Sequence, residues 1–191
     1  MTMRNASCLW VAAIVTLAGA SASATVQVPA DLPALVQAAS AIVHGRIVSV
    51  EPRMAGGRRS IEREVTLVVA ESYKGALGPE VSLRVPGGEL GHYRTVMVGA
   101  PRFTPGEEVV LFLGTRGEAP YVIGLTQGVF RVRVDAESGA RVVTPPPGRS
   151  GEGSRVVRGD ASRRPLPLAQ FAQEIRQLES RVAWMQRRGH P

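Results

Sequence analysis

The sequence predicts a mainly β protein: a small antiparallel barrel, closed or partly open, with a short N-terminal helix and a C-terminal amphipathic helix. Three observations carry this. Residues 109–113 are a continuous apolar run bounded by Pro105-Gly106 and Gly114, the pattern of a strand covered on both faces. Residues 121–134 supply a partner run that ends in alternation, with Val129, Arg131 and Arg133 on one parity and Phe130, Val132 and Val134 on the other. Between them, Gly114-Thr115-Arg116-Gly117-Glu118 is turn chemistry, so the two runs read as a β-hairpin.

The chain opens on a targeting pattern. Arg4 gives a positive start, residues 8–20 are apolar, and Ala22-Ser23-Ala24 is an A-x-A cleavage site, with Ala22 and Ala24 as its small residues. An apolar stretch of about 13 residues falls short of the roughly 20 that a membrane-spanning helix needs. Residues 1–24 are therefore expected to be a cleaved signal peptide, and the product to be periplasmic or extracellular. The only cysteine, Cys8, lies in that segment. The exported part then has no thiol for a disulfide, a thiolate zinc site or a nucleophile, and its core must hold it together.

Residues 25–144 are expected to form the β domain. Residues 31–40 read as a short helix with Asp31 as N-cap, Pro33 in the first turn, and Leu32, Leu35, Val36 and Ala39 along one face. Residues 42–50 are rich in β-branched side chains and form a strand, with Gly45 marking a bulge and Pro52 the end. Residues 60–73 make the longest strand. Ile61, Arg63, Val65, Leu67 and Val69 share one parity, Glu62, Glu64 and Thr66 the other, and burial is expected to grow toward Val68 and Ala70. Lys74-Gly75 and Gly78-Pro79 punctuate a turn, and residues 80–85 alternate with Val81, Leu83 and Val85 inward. A glycine-rich loop at 86–91, a short strand at 93–98, a turn at 135–139 and a last strand at 140–144 complete the domain.

Residues 145–165 are Pro, Gly, Ser and Arg with little apolar content, and read as a linker. Residues 166–189 are a helix. Leu168, Phe171, Ile175, Leu178, Val182 and Met185 recur at spacings of three and four, Arg187-Arg188 suit a helix C-terminus, and Gly189 stops it. Burying six such side chains would contribute on the order of 10 kcal/mol, whereas the helix alone in water is marginal. It therefore docks. Its own barrel comes first, a partner or a second copy next, and a membrane surface last, because the stripe is narrow and the cationic face modest. The oligomeric state stays open.

The formal charge of +7 is unevenly placed. Residues 25–144 carry 13 basic and 12 acidic side chains, whereas residues 145–191 carry 9 Arg and 4 acids. The basicity belongs to the tail. A nearly neutral barrel with few aromatics offers little counterion release or base stacking, so nucleic acid is not expected as a partner.

The remaining candidates sit on loops. Gly87-Gly88-Glu89-Leu90-Gly91-His92 invites a phosphate cradle, but lacks the Gly-Lys-Ser/Thr ending and a following helix. Glu89, His92 and His44 could be imagined on a metal, without HExxH or paired cysteines to support it. Gly124-Leu125-Thr126-Gln127-Gly128 has the spacing of a nucleophile elbow, yet runs on into alternating residues, which makes Thr126 a strand residue beside a bend. No catalytic residue, metal or cofactor is expected. The binding residues singled out are Gly87, Gly88, Glu89, His92 and Arg94.

The order of these segments resembles a known family. ALVQAASAIVHGRIVSV, a long strand ending ESYKG, EVSLRVPGG, PGEEVVLFL and YVIGLTQGVFRV are similar to a group of exported, mostly uncharacterised bacterial domains. They also resemble the netrin-like module of tissue inhibitors of metalloproteinases. The matching motifs are Ala41-Ile42-Val43 leading into the first strand and Lys74-Gly75 after the second. The resemblance covers about residues 31–134 and implies an OB-like, five-stranded barrel with flanking helices. Those inhibitors act through an N-terminal cysteine and several disulfides, which have no counterpart here, so only the scaffold carries over.

The function expected is therefore an exported, non-enzymatic binding module whose partner is a protein, with a protease as one candidate class. Two other readings stay in view. One is a metal-dependent or other hydrolase using the loop at 87–92. The other is attachment to the envelope surface through the Arg-rich tail, which would be salt-sensitive.

Overall fold

The computed structural model describes residues 30–55, 60–116, 119–146 and 164–188. The expected signal segment with Ala22 and Ala24, nearly all of the expected linker, and Gly189 lie outside the described residues.

Helix α1 (Leu32–Ala38) starts where the Asp31 carboxylate accepts a hydrogen bond from the Ala34 N–H at 2.8 Å. Its buried Leu35 and Val36 face the sheet. The chain then runs into an antiparallel meander, β1 (Ala41–Met54), β2 (Ile61–Lys74) and β3 (Glu80–Pro86). Gly45 does mark a register shift, and a Cβ there would stand 2.2 Å from the Val68 carbonyl oxygen. Pro52, expected to end the strand, instead sits inside β1 opposite Arg63. The ladder from β1 to its other neighbour stops at Arg46, so Pro52 lies where β1 has a free edge and a missing N–H is tolerated.

Further along come β4 (Gly88–Leu90), β5 (Tyr93–Thr95), β6 (Glu108–Arg116), β7 (Ala119–Val122), the 3₁₀ turn η1 (Leu125–Gly128), β8 (Val129–Val134) and β9 (Arg141–Thr144). A two-residue β10 (Leu166–Pro167) leads into α2 (Leu168–Arg188). Eight strands form one antiparallel sheet in the order β10-β9-β8-β6-β1-β2-β3, with β7 paired to the far end of β6. The sheet is not closed: β3 lies beside β7, but no ladder joins them. β4 and β5 form a separate hairpin against the β1–β2 ribbon.

The central hairpin departs from its expected form. β6 continues through Gly114, whose missing Cβ leaves room for the Tyr121 ring, 2.7 Å from where that atom would be. The partner run is two strands rather than one. Gly124 and Leu125 both take left-handed φ, at 59° and 56°, and turn the chain through η1 before β8 pairs with the start of β6. Thr126 lies in that turn, not in a strand. Burial along β2 does not grow steadily toward Val68 and Ala70 as expected: Leu67 is sealed, Val68 is 44% exposed at the last position β3 pairs, and burial returns only at Tyr73.

The sheet buries both faces. On the concave side, Val43 and Ile47 of β1, Val65 and Leu67 of β2, Val81, Leu83 and Val85 of β3, and Val109, Leu111 and Leu113 of β6 share one interior. On the convex side, Ile42, Val110, Phe112, Phe130, Val132 and Val143 are covered by α1 and by Leu168, Phe171, Ala172 and Ile175 of α2. This is why residues 109–113 are apolar at every position: alternate side chains enter different cores. Phe171 packs on Phe130 with ring centroids 5.1 Å apart, and Arg176 pairs with Glu71. The C-terminal helix thus docks on its own sheet.

Lys74-Gly75 has a structural task where β2 ends beside the start of β1. The Lys74 ammonium donates to the Val36 carbonyl at 2.7 Å, and a Cβ on Gly75 (φ +66°) would stand 2.7 Å from the Ser40 carbonyl oxygen. The pair fixes α1 to the start of β1. Among the described residues, no helix is long and apolar enough to cross a membrane.

Candidate functional site

The residues singled out on the glycine-rich loop come together on a small hairpin at the end of β3. Two glycines make it possible. At Gly87 (φ +88°) a Cβ would meet the Thr95 carbonyl oxygen at 3.1 Å and the Met97 nitrogen at 3.4 Å. At Gly88 (φ +156°) it would press on Ile61 at 3.1 Å and Arg63 at 3.3 Å. The chain therefore folds back on itself rather than forming a plain loop, and β4 pairs with β5 across a turn at Gly91-His92. Glu89 and Arg94 face each other across this ladder at 3.1 Å, both well exposed, so their ion pair adds little stability. His92 is exposed at the tip.

The hairpin is pinned from below. The Arg63 guanidinium donates through Nε to the Gly87 carbonyl and through Nη2 to the Pro101 carbonyl, both at 2.9 Å. The Ile61 N–H donates to the Thr95 hydroxyl at 3.0 Å, and the Gly87 N–H to the Ile61 carbonyl at 2.9 Å. Further on, the Ala100 N–H donates to the Met97 carbonyl at 3.2 Å and the Thr126 N–H to the Gly99 carbonyl at 3.1 Å. Between these anchors, residues 96–98 leave the ladder, although a strand was expected to run through them. Their side chains are turned to solvent: Val96 is 69% exposed, Met97 49%, Val98 73%, and nearby Tyr93 64%. Four large apolar groups within six residues, on a segment fixed at both ends, form an exposed apolar ridge.

Arg63 lies beside this segment, and Arg102 follows the Pro101 carbonyl that Arg63 holds. Burial lowers the pKa of Arg63, and the neighbouring charge of Arg102 lowers it further. No acid among the described residues pairs with either arginine. Glu62 and Glu64 flank Arg63 in sequence but alternate to the other side of β2.

His44, which the sequence could place with Glu89 and His92, belongs elsewhere. It is buried on the convex face, and its Nε2 lies 2.7 Å from Glu108 Oε1. The same carboxylate receives Arg141 at 3.0 Å and Arg46 at 3.4 Å. Burial alone would raise the Glu108 pKa, but the hydrogen bond and charge of His44, with Arg141 and Arg46, hold it below the ordinary value. The His44 ring stacks parallel to Tyr73, which is buried with its hydroxyl unpartnered. Burial, then the nearby Glu71 charge, pushes the phenol to about 12, against the opposing charges of Arg176 and Arg141. Glu71 stands close enough to act on the phenol electrostatically, yet not in hydrogen-bond geometry with it. Among the described residues, no three His, Cys, Asp or Glu side chains converge as a metal site requires.

Sequence reading missed Arg63 and Arg102 as site residues and misread residues 96–98 as a strand. The available signal was Arg63 on the apolar parity of β2, an inward-facing charge that needs partners. Comparison with known proteins found no matching family model, curated protein or solved structure.

Proposed function

We propose that this protein is an exported, non-enzymatic binding module that recognises a protein through the ridge formed by Tyr93 and residues 96–98. The observation that carries the reading is the fixed, solvent-facing Val96-Met97-Val98 segment. A monomer gains nothing by leaving such a ridge in water. A partner that covered it would gain roughly 1–2 kcal/mol for each side chain sealed, with little ordering cost because the segment is already held. The export half of the proposal rests on the pattern of residues 1–24.

An OB-like scaffold, as in the netrin-like module, is supported by the meander β1-β2-β3, by the return of β6 to β1, and by the approach of β7 to β3. The inhibitory residues of that family have no counterpart here, so a protease is one partner class among several.

The test is photocrosslinking. A photoreactive phenylalanine at position 97, in the full chain expressed in the source organism's envelope, is expected to give a discrete protein adduct that the same group at exposed Glu80 does not. Equal labelling from both positions would remove the proposal.

A further inference from the structure

We infer that the partner presents a carboxylate next to an apolar side chain, the apolar group seating on Val96, Met97 and Val98 and the carboxylate on Arg63 and Arg102. This rests on the ridge being a binding site and adds the chemistry of its occupant. Here charge is placed beside apolar surface. Arg63 touches Gly87 and Gly88, and Met97 lies against Gly87, so the guanidinium and the ridge are neighbours. Two carbonyls hold the Arg63 head group by Nε and Nη2, which fixes its plane and leaves further N–H groups free to donate. Arg102 directly follows the carbonyl that accepts from Nη2. No acid among the described residues forms an ion pair with Arg63 or Arg102, while Glu89 on the hairpin is paired with Arg94 and Glu107 with Arg131.

A guanidinium fixed beside apolar surface, with Arg102 following one of its carbonyl partners and no acid paired to either, suits a complementary carboxylate. A planar, pre-oriented guanidinium also favours the directional geometry of a carboxylate over a diffuse anionic surface. The occupant is therefore a protein segment of mixed acidic and apolar character, rather than a membrane.

The test is selection of displayed random peptides on the full chain, followed by titration of the synthesised winners. Wild type is expected to enrich peptides with Asp or Glu beside an aliphatic or aromatic residue. Their affinity should fall about tenfold or more in Arg102→Glu, stay near wild type in Arg102→Lys, and vanish in Val98→Asp. Replacing the peptide's acid by Lys should restore binding to Arg102→Glu. Apolar winners without an acid, lost in Val98→Asp but indifferent to Arg102→Glu, would overturn the inference and leave the ridge standing as a binding site. Winners indifferent to Val98→Asp, or no winners at all, would overturn both. Binding to phosphatidylglycerol vesicles that is lost in Val98→Asp would overturn the protein partner in favour of a membrane.

Discussion

Tyr73 carries a hydroxyl that folding buries without a partner among the described residues. Such a group costs desolvation and returns nothing, so Tyr73→Phe should be neutral or stabilising by up to about 1 kcal/mol in chemical denaturation. The same burial raises the phenol's pKa to about 12, from 10.0. A raised folded pKa gives a stabilising contribution that is fully present below pH 10.0 and is lost as the pH rises through about 12. Tyr73→Phe should therefore flatten the alkaline fall in stability. Glu108 has the opposite sign. Its folded pKa is lowered from 4.5, so its contribution is complete above that value and is lost as the pH falls through the folded pKa. Thermal midpoints measured from pH 7 to 3 should fall less steeply in Glu108→Gln than in wild type, and an identical slope would mean the cluster around His44 contributes nothing.

At the scale of elements, α2 is the decisive one. Its stripe is complete in sequence, but six apolar positions on a helix do not say which surface they cover. In the fold, Leu168, Phe171, Ala172 and Ile175 seal the convex face of the sheet. Phe171→Ala should cost about 3–4 kcal/mol, read as a lower denaturation midpoint with an unchanged slope. A cost under about 1 kcal/mol would mean the helix is not docked in solution. One consequence concerns the Arg-rich tail. Cutting the chain after Thr144 removes this core layer as well as the charge, so attachment to the envelope must be tested by Arg→Gln changes at 149, 155, 158 and 163 instead. Elements that moved from their expected positions did so for pairing reasons. Pro52 stays within β1 because that edge has no neighbour, and residues 121–134 split because β6 is long enough to take β7 and β8 in succession.

For the molecule as a whole, folding and recognition should separate cleanly. Val98 is largely exposed, so Val98→Asp should leave global stability within about 0.5 kcal/mol of wild type while abolishing capture of the partner. Loss of both together would mean the ridge is part of the core. The mainly β class, the helix at each end and the apolar heart of β6 were legible because each follows from a local period or a run of consecutive residues. The site was legible in part. Gly87, Gly88, Glu89, His92 and Arg94 are near neighbours in sequence and needed only one turn to meet. Arg102 follows shortly after them in sequence, but Arg63 is brought to them from an earlier strand, and no spacing rule encodes that. Residues 96–98 have the composition of a strand, and only the anchors at Met97 and Gly99 show that they stand outside the sheet. By itself, then, the sequence determined which segments extend, which coil, and which faces of them are apolar, because those depend on dihedral preference and periodicity. The tertiary structure alone decided which charges face one another, which apolar faces are sealed, and which ridge is left to water, because contact between distant segments is settled by packing and register rather than by any local pattern.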